Sequence, residues 1–230
     1  MLPDGSEAAP PSVESSLPEL GAPLAAQGVV VMVAQYRGQV KVAGGYPVTF
    51  QDVACAIGVA RKIGPTYRAD PARVTLVGYS WGAWAGAVVA LTPTPFTPTA
   101  GACNPTTGSL RPDAFVGLEG WFSVAQETPP QTIQVPSVYA DAATRAAATA
   151  ASDPYQLAKT YPAGSGALAI HLLHGSADQN VDSGVSTSFA AALTAGGYAN
   201  SLWFIPGADI ESALSVDSTI AWIHAYAKGP

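Results

Sequence analysis

The run Val74-Thr75-Leu76-Val77-Gly78-Tyr79-Ser80-Trp81-Gly82 joins an apolar stretch to a G-x-S-x-G motif, and the small residues Ala83 to Leu91 follow at once. A strand, a sharp turn and a helix in that order present a serine hydroxyl for attack on an acyl carbon. Gly78 and Gly82 let the chain turn without a clash, so the Ser80 hydroxyl projects above the strand end. The helix N-terminus behind it favours developing negative charge, and the Trp81 N–H is placed as one oxyanion-hole donor. The second chemical signal is His171-Leu172-Leu173-His174-Gly175-Ser176-Ala177-Asp178, an apolar strand that ends in a glycine turn with a carboxylate just beyond it. A carboxylate at the carboxyl end of a parallel strand lies on the rim where side chains react, and serine followed by acid suits a triad in which the acid orients an imidazole. Asp182 reads instead as the cap of the next helix.

These residues need a frame. Gly28 to Ala34 is a continuous apolar, β-branched run after a glycine, the pattern of a strand buried on both faces. Similar runs are Val74 to Val77, Ala114 to Leu118, Ala167 to Leu173 and Leu202 to Ile205. Between them Phe50, Val53, Ala54, Ile57 and Ala60 recur at helical spacing, as do Val185, Phe189, Ala192 and Leu193, and then Ile220, Ile223 and Ala227. Strands alternating with helices predict a three-layer α/β/α sandwich on a mostly parallel sheet. The expected organisation is a single domain over residues 1–230 with an irregular segment at 1–20. Thr92 to Pro112 and Thr128 to Pro136, dense in Pro, Thr and Gly, read as surface loops able to shape a cleft, and Ala140 to Ala151 as a short helix.

Composition narrows the chemistry. A chain of 230 residues, 48% hydrophobic and 11% charged, buries one substantial core. A net charge of −6 with no Lys/Arg cluster argues against nucleic acid or an anionic membrane surface, leaving a small, uncharged or apolar partner. No apolar run reaches the ~18 to 20 residues that span a bilayer, so a soluble chain is expected, with no export signal in its first residues. Cys55 and Cys103 are too few for a metal cage, and no metal is expected. A disulfide between them and two separately buried thiols are both open.

Gln35-Tyr36-Arg37 after the first run, Asp52-Val53 in the next helix, the Gly78 to Gly82 turn and His174-Gly175-Ser176-Ala177-Asp178 together resemble the α/β-hydrolase superfamily, in its esterase/lipase and dienelactone-hydrolase-like group. The resemblance covers roughly residues 22 to 228. It implies hydrolysis of a carboxylic ester, small or polymeric, through an acyl-serine intermediate without a cofactor. Ser80 is then the nucleophile and Asp178 the acid, with Tyr36, Trp81 and Trp121 as candidate cleft aromatics.

Two departures accompany the resemblance. In that family the base histidine lies in the loop after the last strand, and here the loop reads Ile205-Pro206-Gly207-Ala208-Asp209-Ile210-Glu211, with Ile210 at the position expected to hold it. His171 and His174 belong to the preceding strand and His224 to the last helix, and Asp209 and Glu211 flank the gap as poor substitutes. Isoleucine takes no proton, so the alternative function is an inactive binding protein of the same fold. The second oxyanion donor should lie near Met1 to Gly5, where no matching turn is found, and one strand is expected to be lacking between the runs at Val29 and Val74. A hole in the middle of a parallel sheet is the expectation, to be filled by another chain or explained by a shortened start that would also have removed any export signal. Oligomeric state, compartment and acyl preference have no readable code.

Overall fold

The computed structural model describes residues 1–2, 20–37, 46–94, 96–98, 103, 108–123, 142–164, 168–209 and 217–228. The apolar runs become β1 (Thr75–Tyr79), β2 (Ala114–Leu118), β3 (Ala169–Gly175) and β4 (Asn200–Ile205). They lie side by side in chain order, each parallel to its neighbour. Parallel neighbours need crossovers. The helices are α1 (20–26), α2 (Val48–Ile63), α3 (Trp81–Leu91), α4 (Ala142–Ala151), α5 (Pro154–Thr160), α6 (Ser183–Ala195) and α7 (Asp217–Lys228).

The first three strands are mostly apolar because both faces are covered, with Thr75, His171 and His174 the polar exceptions. Leu76, Phe115, Ile170 and Leu172 share a core with Phe50 and Val53 of α2, Trp84 and Val88 of α3, and Phe189 of α6. Val77, Tyr79, Val116, Leu118 and Leu173 point the other way, onto Leu20 and Leu24 of α1 and Ile223 of α7. The result is the expected α/β/α sandwich. β4 is the edge strand, and there Trp203 and Phe204 stay exposed.

Local chemistry sets the helix ends. Asp153 accepts from the Gln156 N–H ahead of Pro154, and Asp182 accepts from the Gly184 N–H to cap α6, as the sequence suggests. Arg61 of α2 is buried and donates to the carbonyls of Ser109, Pro71 and Arg111, with Asp113 at 2.9 Å, so one guanidinium fastens α2 to the loop that enters β1 and to the loop that enters β2. Cys55 and Cys103 are joined, 48 residues apart, closing a loop for which chain entropy predicts about 4 kcal/mol. Of the two expected loops, 92–112 is described in part and 128–136 lies outside the described residues.

One expectation is corrected. Residues 29–34, which follow a turn at Gly28, are not part of the sheet, because a strand is defined by its neighbour and among the described residues no strand pairs with them. The Val29 N–H donates to the Leu24 carbonyl at 3.1 Å, and Met1 bonds the segment further on, its amino nitrogen donating to the Met32 carbonyl at 2.6 Å and its carbonyl accepting from the Ala34 N–H at 3.0 Å. On its other side the chain start meets β1, with Leu2 opposite Gly78 in parallel sense.

Candidate functional site

Ser80 ends β1 and precedes α3 with φ 50° and ψ −117°, a left-handed conformation that costs a residue with a side chain on the order of 1–3 kcal/mol. The turn closes because Gly78 and Gly82 touch: a Cβ on Gly78 would lie 2.3 Å from the Gly82 carbonyl oxygen and 2.6 Å from its carbon. Gly78→Ala must therefore push α3 away from the sheet. We expect a loss of about 3 kcal/mol in denaturant unfolding, with no such loss at Gly164, where a Cβ meets nothing within 4 Å.

The Ser80 N–H donates to the Leu118 carbonyl at 2.9 Å, so the turn is pinned to the end of β2. Its carbonyl accepts from Ala83 and Trp84, while the first helical N–H, that of Trp81, has no acceptor among the described residues. Trp81 lies half-buried and stacks on Trp121 at 5.5 Å with the planes 10° apart, and Trp84 meets it edge-on at 5.6 Å. Trp121 is 8% exposed, so most of its surface is packing. Tyr36 is half-buried against the same core cluster.

Asp178 lies in the turn after β3. Its Oδ1 accepts from the N–H groups of Asn180 and Val181, and its Oδ2 lies 3.3 Å from His174 Nε2. Burial pushes the Asp178 carboxyl up, but the bonds from His174 and the two backbone N–H groups outweigh it and hold the carboxyl below its ordinary range.

The sequence reading missed Glu119, one residue past β2, which has φ 49° and is fully buried. Its Oε1 accepts from the Gly175 N–H at 2.7 Å and its Oε2 lies 3.2 Å from His174 Nε2. Burial, and then the neighbouring Asp178, push its carboxyl up to about 9. At neutral pH one carboxyl of the pair is protonated and the other ionised, and the proton on Glu119 faces Asp178. Glu119, His174 and Asp178 are also close enough to share a cation, their ligand atoms lying within 4.8 Å of one another. A proton held by Glu119 against Asp178 takes the space a cation would occupy, and His174 Nε2 is 3.0 Å from the Val181 carbonyl. The rule that marks Asp178, a carboxylate at the carboxyl end of a parallel strand, applies equally to Leu118-Glu119-Gly120.

His171 and His174 are engaged with groups other than Ser80. His174 holds Ser186 Oγ at 2.7 Å through Nδ1. His171 meets Ser201 Oγ at 3.0 Å and packs against Trp222 and Tyr226, and burial brings it down to about 4. His224 sits within α7. Ile210 lies outside the described residues, but the turn that leads to it is fixed. The Ala177 N–H donates to the Ala208 carbonyl at 2.9 Å and the Gly207 N–H to Ser176 Oγ at 2.8 Å. The loop after β4 is thus fastened to the turn that carries Asp178.

No protein-family model matches the chain, and no curated protein sequence does. Solved structures do. A truncated carbohydrate esterase from gut microbiota superposes with a TM-score of 0.68 at 18% identity, covering 91% of this chain and 76% of that one. Esterase 2 of the planctomycete Thermogutta terrifontis, bound to propionate, gives 0.67 at 19%, with 92% and 74% covered. An acetyl ester-xyloside bifunctional hydrolase from Caldicellulosiruptor lactoaceticus gives 0.66 at 20%, with 91% and 72% covered. At such identities the likeness is one of fold, and the fold is of the α/β-hydrolase type. No helix among the described residues is long and apolar enough to cross a membrane.

Proposed function

We propose that the chain is a carboxylic ester hydrolase of the serine type, with Ser80 as nucleophile, Asp178 as the acid and the Trp81 N–H as an oxyanion donor. The observation that carries this reading is the Ser80 backbone, held at φ 50° between a strand and a helix by two glycines in contact. A strained residue persists where the surroundings over-determine it, and nothing in packing a sandwich requires strain at a serine. Ser80 Oγ adds to the ester carbonyl as its proton leaves, and collapse breaks the bond to the alkoxy oxygen. The alcohol departs with a proton, and water then attacks the acyl-serine, releasing the acid and restoring the hydroxyl. Esters of short acyl groups, free or on a carbohydrate, are the first substrates to try, since the neighbours are named for carbohydrate, acetyl and propionate chemistry.

With Ile210 at the base position, only water or the flanking Asp209 and Glu211 can take the serine proton, so turnover is slow in this reading. That feature, with His171 and His174 engaged elsewhere, favours a second reading: a binding protein of the same fold. A fluorophosphonate separates the two. The folded chain is expected to form a covalent adduct that Ser80→Ala abolishes; a folded chain that stays unlabelled through long exposure would leave only the binding reading.

A further inference from the structure

A cavity of about 580 Å³ opens at the N-terminal ends of β2, β3 and β4, at the far end of the sheet from Ser80. Its size is that of a small-molecule site. Pro93, Pro112, Tyr161 and Tyr198 line it, together with two charged residues, Arg111 and Asp113.

The two charges do not answer each other. Asp113 Oδ2 accepts from the Val74 N–H at 2.7 Å and lies 2.9 Å from Arg61 Nη1, so its charge is matched from α2. Arg111 has no carboxylate within ion-pair reach among the described residues. Its Nη2 donates to the Ala90 carbonyl in the last turn of α3 at 2.6 Å, and its Nε is buried with no acceptor. The bond to Ala90 suits a helix C-terminus, yet it uses one guanidinium N–H of the five. What remains is a half-buried guanidinium, partly stripped of water and unpaired, an arrangement that costs free energy until an anion meets it. With Nη2 tied to α3 and Nε shut in, Nη1 is the side left for that anion, and it has no acceptor among the described residues.

The surroundings narrow the class of anion. One uncompensated positive charge suits a monoanion, and a carboxylate matches the flat guanidinium. A dianion would bring a second negative charge into a cavity that Asp113 already lines. The Tyr198 hydroxyl donates to the Tyr161 carbonyl, and burial pushes its phenol up while the Arg111 charge pulls the other way, so ring and guanidinium share one part of the cavity. Tyrosine and proline faces beside a guanidinium favour a flat ring over a flexible tail.

We propose that this cavity is a second ligand site, which takes a small aromatic monocarboxylate with its carboxylate on Arg111 and its ring among Tyr161, Tyr198 and the two prolines. The inference is independent of the ester reading.

Benzoate is the probe, and benzamide, its uncharged counterpart of nearly the same shape, is the control. Titrated into the full chain in a calorimeter, benzoate is expected to bind once per chain with a Kd on the order of 1 mM, and benzamide at least about tenfold more weakly. Arg111→Gln should weaken benzoate at least about tenfold in protein that keeps its melting temperature, while Arg111→Lys, which keeps the charge and loses the planar fork, should fall between. Amide shifts at Ser109, Tyr161 and Tyr198 should move on binding, and those at Ser80 and Trp81 should stay. The proposal is overturned by the absence of saturable benzoate binding up to ~20 mM, or by benzamide binding equally well, a comparison that needs no variant. It is overturned too by affinity that survives Arg111→Gln, by shifts that centre on Ser80, or by inorganic phosphate binding more tightly than benzoate.

Discussion

Ile210→His is expected to raise the hydrolysis of p-nitrophenyl acetate and butyrate by about 10²- to 10⁴-fold, and Ser80→Ala in that background to abolish the gain. The size follows from what a base does. A serine hydroxyl is a weak nucleophile until its proton has somewhere to go, and an imidazole that titrates near neutrality is the side chain suited to take it. The location follows from the turns. Ala208 and Gly207 are bonded to the turn after β3, and Gly175 packs there so closely that a Cβ would lie 2.3 Å from the Ala208 carbonyl oxygen. The described part of that loop, to Ala208, is therefore fastened to the turn that carries Asp178, whose carboxyl is held below its ordinary range and in the proposed triad would accept an imidazole N–H. If Ile210→His leaves the rate unchanged while the protein keeps its melting temperature, the triad assignment fails and the binding reading gains.

The second large effect concerns pH. Glu119 has an ordinary value of 4.5 and sits near 9 in the folded chain. The folded state therefore holds a proton that the unfolded state releases, and the stability tied to it is complete below about 4.5, declines as pH rises, and is gone above about 9. Glutamine copies the protonated form: its oxygen can accept from Gly175 and its amide can donate to Asp178. Glu119→Gln should match the parent in urea unfolding at pH 5 and exceed it by on the order of 3 kcal/mol or more at pH 9. His171, brought down to about 4 by burial, acts in the opposite sense, costing stability as pH falls below its ordinary 6.5, and it cancels from the comparison because both proteins carry it. Two curves that run parallel from pH 5 to 9 would mean that Glu119 is not the proton holder.

How much of this was legible varies by residue, for physical reasons. Three of the paired strands could be read because burial on both faces favours largely apolar runs, β4 from its apolar stretch Leu202 to Ile205, and Ser80 because the turn brings Gly78 and Gly82 into contact. The run at 28–34 has the same composition yet pairs with no strand among the described residues, because pairing is a property of two segments and composition describes one. Glu119 looks like any acidic residue beyond a strand; only the fold puts it under Gly175 and against Asp178, where its chemistry changes. The Cys55–Cys103 link could not be assigned from spacing, since it depends on a Cα separation of 6.1 Å that the folded chain creates. Asp182, by contrast, was readable as a cap, because capping is decided within three residues.

The order of the strands has a consequence for how the protein is made. Each strand end leads to one of these residues: Ser80 after β1, the buried Glu119 that faces Asp178 after β2, Asp178 after β3, and the loop toward residue 210 after β4. Because the sheet is ordered as the chain is written, the parts leave the ribosome in the order in which they dock, each on a neighbour already present. The serine turn can thus form early, but the neighbours that complete its site arrive only with the last third of the chain, and a nascent fragment carries the nucleophile without the rest of its machinery.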